Sequence, residues 1–204
     1  YGYLWDIEKD YGLNLRSLTL FADKTYQSNP KFRPILGGRE QEFSDEEILQ
    51  LEKVHQALSI IQFKLENQLI KRRPEFQMQD HVMLDKIDYW EESVTIDDTK
   101  HALVNTCFQT INPENPSALT PEENQAVDSM LASFQSSLKM AEHMSLLMNK
   151  GSMYKIYNQH LLFHGCIPLE PSGEFQPFIL NQAHYAGKEL LDFFEYHIRQ
   201  AAKN

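Results

Sequence analysis

The residue best placed for chemistry in this sequence is His164, which with Gly165 closes the apolar run Leu161-Leu162-Phe163. A metal ligand at the end of a buried strand is held stiffly, and a glycine beside it lets backbone approach the bound group. Neutral imidazole suits manganese, iron or zinc. The plain alternative is a packed or surface histidine, and no HxH, HxxxH or HExxH spacing gives it a partner. The second candidate is Lys71-Arg72-Arg73. Cations at the C-terminal end of a helix complement its dipole and need no ligand to explain them. The functional reading is a phosphate clamp, because arginine forks bind phosphate oxygens in pairs. His55 lies among apolar positions and reads as a hydrogen-bonded interfacial side chain. Asp97-Asp98 read as turn residues rather than a catalytic pair. Met130, Met140, Met144 and Met148 read as core filler. No GxSxG, P-loop or GxGxxG pattern is present.

These residues need elements to hold them. Residues 3–11 and 14–27 read as short helices, the second stopped at Pro30, and 28–43 as a loop. Ser44-Asp45-Glu46-Glu47 is a capping box. From it Ile48, Leu51, Val54, Leu58, Ile61, Leu65 and Leu69 form a stripe that predicts a helix to Arg72, ended by Pro74. A short helix is expected over 79–88, and a β-hairpin over 93–104 around Asp97-Asp98. Thr120-Pro121-Glu122-Glu123 starts a second long helix. Its stripe Val127, Leu131, Phe134, Leu138, Ala141, Ser145 and Met148 runs to Gly151, placed as a left-handed cap. The two long helices are expected to bury their stripes on each other, antiparallel. Strands are expected over 153–157, 160–163 and 175–180, with a turn at Ser172-Gly173 and a last helix over 186–202. The fold class is therefore α+β and mainly helical. A helical part, 1–150, precedes a strand-containing part, 151–204, with too few strands for a sheet of its own.

Composition narrows the function. The chain has 204 residues, 42% of them apolar, and a formal charge of −10 from 29 acidic and 19 basic side chains. Such acidity disfavours nucleic acid, whose binders neutralise phosphates. An anionic substrate then needs a local basic cluster or a metal. Cys107 and Cys166 make no disulfide framework, and read as reduced thiols in a cytoplasmic protein. No apolar run reaches the roughly 18 to 20 residues of a membrane span, and no secretory signal is visible. The chain opens at Tyr1 without Met, inside an apparent helix, and reads as a piece of a longer protein.

Several runs carry a resemblance. His55-Gln56-Ala57, Ile61-Gln62-Phe63-Lys64-Leu65-Glu66, Ile70-Lys71-Arg72-Arg73-Pro74 and Leu84-Asp85-Lys86-Ile87-Asp88-Tyr89 resemble the class III fructose-1,6-bisphosphatases. So do Asn105-Thr106-Cys107-Phe108, Thr110-Ile111-Asn112-Pro113, Leu162-Phe163-His164-Gly165-Cys166-Ile167-Pro168 and Tyr185-Ala186-Gly187-Lys188-Glu189-Leu190-Leu191-Asp192. Together they span essentially the whole chain.

That family belongs to the calcineurin-like metallophosphoesterases. The resemblance implies a parent β-sandwich flanked by helices, with a dinuclear manganese site on loops at strand ends. It implies hydrolysis of fructose 1,6-bisphosphate to fructose 6-phosphate in gluconeogenesis. Of the family's metal motifs (Asp-x-His, Gly-Asp-x-x-Asp-Arg-Gly, Gly-Asn-His-Asp, His-Gly, Gly-His-Thr-Pro) only the fourth has a counterpart, at His164-Gly165. It makes His164 a metal ligand of the intact enzyme and 151–204 a remnant of the sandwich. Residues 1–150 become an insertion that caps the site, holds sugar or phosphate through Lys71, Arg72 and Arg73, or packs between subunits of a homo-oligomer. The isolated chain is expected to be inactive. The rival expectation is a helical regulatory or protein-interaction module with no chemistry of its own.

Overall fold

Ser44 opens the longest helix by a reciprocal cap. Its Oγ accepts from the Glu47 amide at 3.3 Å, and Glu47 Oε2 accepts from the Ser44 amide at 2.7 Å. Thr120 and Glu123 repeat the device at 3.1 and 2.8 Å, with Pro121 at the first helical position. The computed structural model describes residues 4–203. The elements run α1 (Leu4–Tyr11), α2 (Arg16–Thr25), α3 (Asp45–Arg72), β1 (Ile87–Asp88), β2 (Ser93–Ile96), β3 (Thr99–Ala102) and α4 (Pro121–Ser136). Then come α5 (Leu138–Lys150), β4 (Tyr154–Tyr157), β5 (His160–Phe163), β6 (Phe178–Leu180), β7 (Ala183–Tyr185) and α6 (Lys188–Ala201). The expected helical start at residue 3 lies outside the described residues. The chain divides into two compact units, Tyr1–Ser137 and Leu138–Asn204, so α5 goes with the later strands.

In the first unit α2 packs on both α3 and α4. The core joins Leu18, Phe21 and Ala22 of α2, Tyr26, then Val54, Ala57, Ile60 and Ile61 of α3, with Cys107 and Ala126. The expected burial of the two long stripes on each other is corrected: Leu65 and Leu69 of the first and Leu131, Phe134 and Leu138 of the second are exposed. The face of α3 also turns away from its apolar stripe. Beyond Ile61 the buried positions are Lys64, Asn67 and Ile70, whereas Leu65 and Leu69 are exposed. The expected helix over 79–88 is instead two single 3-10 turns, Gln79–His81 and Leu84–Lys86, followed by β1. β1 pairs antiparallel with β2, and β2 with β3 in the register Ser93↔Ala102 to Ile96↔Thr99. Asp97 and Asp98 both take positive φ, 47° and 58°, the requirement of a tight two-residue hairpin.

The second long helix is two helices: α4 ends at Ser136 and α5 begins at Leu138. α5 buries none of its residues. Met130 packs against the first unit's core, but Met140, Met144 and Met148 lie on α5 and fill no core. Gly151 is not left-handed. Its amide donates to the Leu147 carbonyl at 2.8 Å. A Cβ there would stand 2.5 Å from that oxygen, so close approach explains the glycine.

The second unit holds two hairpins, β4–β5 and β6–β7, turned by Asn158-Gln159 and Asn181-Gln182, again with φ positive at both positions. The strand expected over 175–180 starts at Phe178, with Phe175 bridged singly to Leu169. A separate strand, β7, precedes the last helix, which starts at Lys188. Phe178, Tyr185, Phe193 and Phe194 stack around the base of α6, with Tyr185 and Phe193 centroids 4.2 Å apart. Arg199 of α6 donates to the carbonyls of Met148 and Gly151 and so caps the end of α5.

Candidate functional site

β5 delivers His164. The register pairs Tyr154 with Phe163 and Ile156 with Leu161, so these four apolar side chains share one face. Lys155, Leu162, Tyr157 and His160 share the other. His164 is the first residue past the strand, and Gly165 turns the chain with φ of 88°. The strand expected to be buried is exposed at all four positions, and Leu162 stands 54% exposed. His164 and the free thiol of Cys166 are exposed as well. Among the described residues no group of three or more His, Cys, Asp or Glu side chains could hold a metal ion. One imidazole does not make the donor set of a manganese pair, so these residues alone do not fit the dinuclear centre.

The basic cluster lies at the end of α3 in the first unit. Successive helical residues point about 100° apart, so Lys71 and Arg72 do not converge. Lys71 pairs with Asp85 at 2.7 Å and donates to Ser117 Oγ at 3.2 Å. Arg73, the residue that ends the helix, pairs with Glu75 at 3.3 Å. Arg72 is exposed and forms no ion pair among the described residues. Two of the three cations are thus already neutralised by neighbouring carboxylates.

A denser polar constellation escaped the sequence reading. Lys64, Asn67, Gln68 and Lys71, spaced i, i+3, i+4 and i+7, form one stripe that clasps the segment 110–123. Lys64 and Glu123 are fully buried and pair at 2.7 Å. Lys64 Nζ also donates to the Thr110 carbonyl at 2.8 Å. The two Glu123 oxygens accept from the Thr110 hydroxyl at 2.6 Å and the Thr120 amide at 2.8 Å. Asn67 and Gln68 reach Ser117 at 3.4 and 2.7 Å. Burial pushes the Tyr26 hydroxyl, 3.4 Å from that of Thr110, up to about 12. The available signal was a lysine and an asparagine on the side of α3 next to Ile60 and Ile61. Hydrophobic periodicity counts both as solvent-facing.

Elsewhere in this unit His55 is buried, with Nδ1 donating to the Phe32 carbonyl at 2.8 Å, as an interfacial histidine should. Glu52 is fully buried; one oxygen accepts from Arg33 Nε at 2.8 Å and the other has no hydrogen-bond partner. A cleft of about 350 Å³ is lined by Phe63, Leu84, Val94, Cys107 and Phe108. Its apolar walls do not suit a sugar bisphosphate. Burial raises the Cys107 thiol to about 11. No helix among the described residues is long and apolar enough to cross a membrane.

Comparison with known proteins adds what geometry alone does not. The family model described as Firmicute fructose-1,6-bisphosphatase matches residues 1–204. A protein of Streptococcus sanguinis named fructose-1,6-bisphosphatase class 3 is 98% identical over 204 residues, which are 100% of this chain and 32% of that one. Proteins of the same name from Streptococcus gordonii and Pediococcus pentosaceus are 82% and 48% identical, over 100% and 99% of this chain and 32% and 31% of theirs. The chain therefore spans about a third of the length of the curated relatives it matches. No solved structure matches it.

Proposed function

The chain belongs to the Firmicute fructose-1,6-bisphosphatase family, and from that premise we propose that it is a region of a class III fructose-1,6-bisphosphatase. The reaction is hydrolysis of the 1-phosphate of fructose 1,6-bisphosphate, giving fructose 6-phosphate and phosphate, in cytoplasmic gluconeogenesis. The observation that carries this reading is the family match over every residue of the chain, joined to 98% identity with a relative of that name.

His164 is proposed as one manganese ligand. The remaining donors belong to the rest of the family polypeptide, because the described residues supply a single imidazole there. Gly165, with no side chain and φ of 88°, leaves room beside it. Among the basic residues Arg72 is the best candidate for a phosphate, since it holds no carboxylate. Lys71 and Arg73 can join only by exchanging Asp85 and Glu75 for phosphate oxygens. The exposed apolar face of Tyr154, Ile156, Leu161 and Phe163 fits burial against a neighbouring layer of the parent sandwich.

The test is manganese-dependent phosphate release from fructose 1,6-bisphosphate, measured on this chain and on the full-length polypeptide. Release by the full-length protein, with none by the 204-residue chain, is expected. A full-length protein that releases no phosphate from this substrate would leave the interaction-module reading standing.

A further inference from the structure

The hairpin that leads to His164 has almost no apolar burial of its own. β4 is exposed beyond Tyr154, and β5 is exposed throughout. A lone two-stranded hairpin is marginally stable at best in water, so its open end needs another anchor. Four side chains of α6 supply one. Lys188, Asp192, Glu195 and Arg199, spaced i, i+4, i+7 and i+11, share one side of the helix. The Tyr154 hydroxyl donates to Asp192 Oδ1 at 3.1 Å. Lys188 pairs with that carboxylate, and its Nζ stands 5.6 Å from the centre of the Tyr154 ring. Glu195 Oε2 accepts from the Met153 amide at 3.0 Å. Arg199 pairs with the other Glu195 oxygen at 2.9 Å and donates to the Gly151 carbonyl at 2.7 Å. The row thus grips residues 151–154 and ends on the first residue of β4. Tyr154 is opposed to Phe163, with Cα atoms about 4.5–5.5 Å apart across such a ladder. His164 is the next residue.

We propose that Asp192 and Glu195 are positioning residues for His164: α6 grips the entry of β4, and the Tyr154–Phe163 pair passes that constraint to the end of β5. All of these residues lie in the second unit. A merely solvated charged face would stop at the i, i+4 pairs Lys188–Asp192 and Glu195–Arg199. Here each pair also accepts a hydrogen bond from the start of the hairpin, and a hydrogen bond to a charged acceptor is about twice as strong as a neutral one. The role of His164 as a ligand rests on the function proposed above; the grip of α6 on the hairpin does not.

Amide hydrogen exchange in the 204-residue chain reads the grip directly. Glu195→Ala should speed exchange of the β4 and β5 ladder amides by about tenfold, the value of one hydrogen bond to a charged group. Tyr154→Phe, which removes a more exposed bond, should speed it by about threefold. Glu195→Gln keeps an oxygen that accepts from Met153 and should stay within about twofold of wild type. Amides of α6 should be unchanged in all three. The proposal is overturned if the ladder amides exchange at the wild-type rate in Glu195→Ala, or if those of α6 accelerate by the same factor, the mark of general unfolding. In the full-length polypeptide the manganese dissociation constant should rise in the same order, most for Glu195→Ala and least for Glu195→Gln. His164→Ala tells the two readings apart. If it leaves manganese binding unchanged, the proposed function falls, and the grip is decided by the exchange rates alone. If it abolishes binding that Glu195→Ala leaves intact, the positioning role falls.

Discussion

Removing Lys64 should destabilise the first unit more than any exposed-cation substitution, and the size of the loss follows from its surroundings. The ammonium has three N–H groups and faces three acceptors: Glu123 Oε2 at 2.7 Å, Thr110 O at 2.8 Å and Thr110 Oγ1 at 3.4 Å. Both Lys64 and Glu123 side chains are wholly inaccessible. Lys64→Met keeps most of the volume and strands the carboxylate, which retains only the Thr110 hydroxyl and the Thr120 amide. Breaking a buried pair from one side costs about 3–5 kcal/mol, or roughly 6–20 °C in Tm for a chain of this size. Replacing both partners, Lys64→Met with Glu123→Leu, removes the stranded charge. It should recover all but about 1–2 kcal/mol, the value of the lost Thr120 cap. The assay is thermal and urea unfolding followed by circular dichroism on wild type, both single variants and the double variant. A loss below about 1 kcal/mol for Lys64→Met, the range of an exposed pair, would refute the reasoning. So would a double variant no more stable than the worse single one.

Further outcomes follow from burial and from hydrogen bonds to charged groups. Cys166 is exposed, whereas Cys107 is buried with its thiol raised to about 11. A thiol reagent at pH 8 should therefore titrate one group in the native chain and the second only on unfolding, and rapid reaction of both would contradict the packing of Cys107. The Glu195 carboxyl is held below its ordinary 4.5 mainly by the Met153 amide, then by Arg199. A depressed carboxylate contributes stability that is present above its unfolded value and is lost as pH falls through the folded one. Melting curves between pH 6 and 2 should thus fall more steeply for wild type than for Glu195→Gln; identical slopes would deny the interaction. Gly187 has φ of 52°, and a Cβ there would lie 2.9 Å from the Phe175 ring. Gly187→Ala should cost about 1–3 kcal/mol, read as lost chemical-shift dispersion and lower melting in the second unit.

Local chemistry made much of the fold legible. Ser44 with Glu47, Thr120 with Glu123, Pro74, and the Asp97-Asp98 turn each act within a few residues, so their positions could be read directly. What was not legible depends on partners distant in the chain. Lys64 is buried because Thr110 and Glu123 await it, and no periodicity of α3 announces that. At the break Ser137 donates to the Tyr11 carbonyl, a partner far back in the sequence. Asn181-Gln182 turns a hairpin without glycine, so β7 was merged into the approach to the last helix.

The candidate site residues were singled out for a different reason. His164-Gly165 and Lys71-Arg72-Arg73 stood out by residue type and by family resemblance. The structure shows different surroundings for the three cations. Asp85 and Glu75 already pair with Lys71 and Arg73, leaving Arg72 as the cation of the cluster that forms no ion pair among the described residues. β5 is exposed where a buried strand was expected, since among the described residues no second layer covers its apolar face.

Manganese bound per chain in the full-length polypeptide, before and after His164→Ala, bears most directly on the proposed function. Bound manganese and phosphate release should fall together in that variant, with circular dichroism and melting temperature unchanged because the side chain is exposed. Undiminished metal content and turnover would remove His164 from the site.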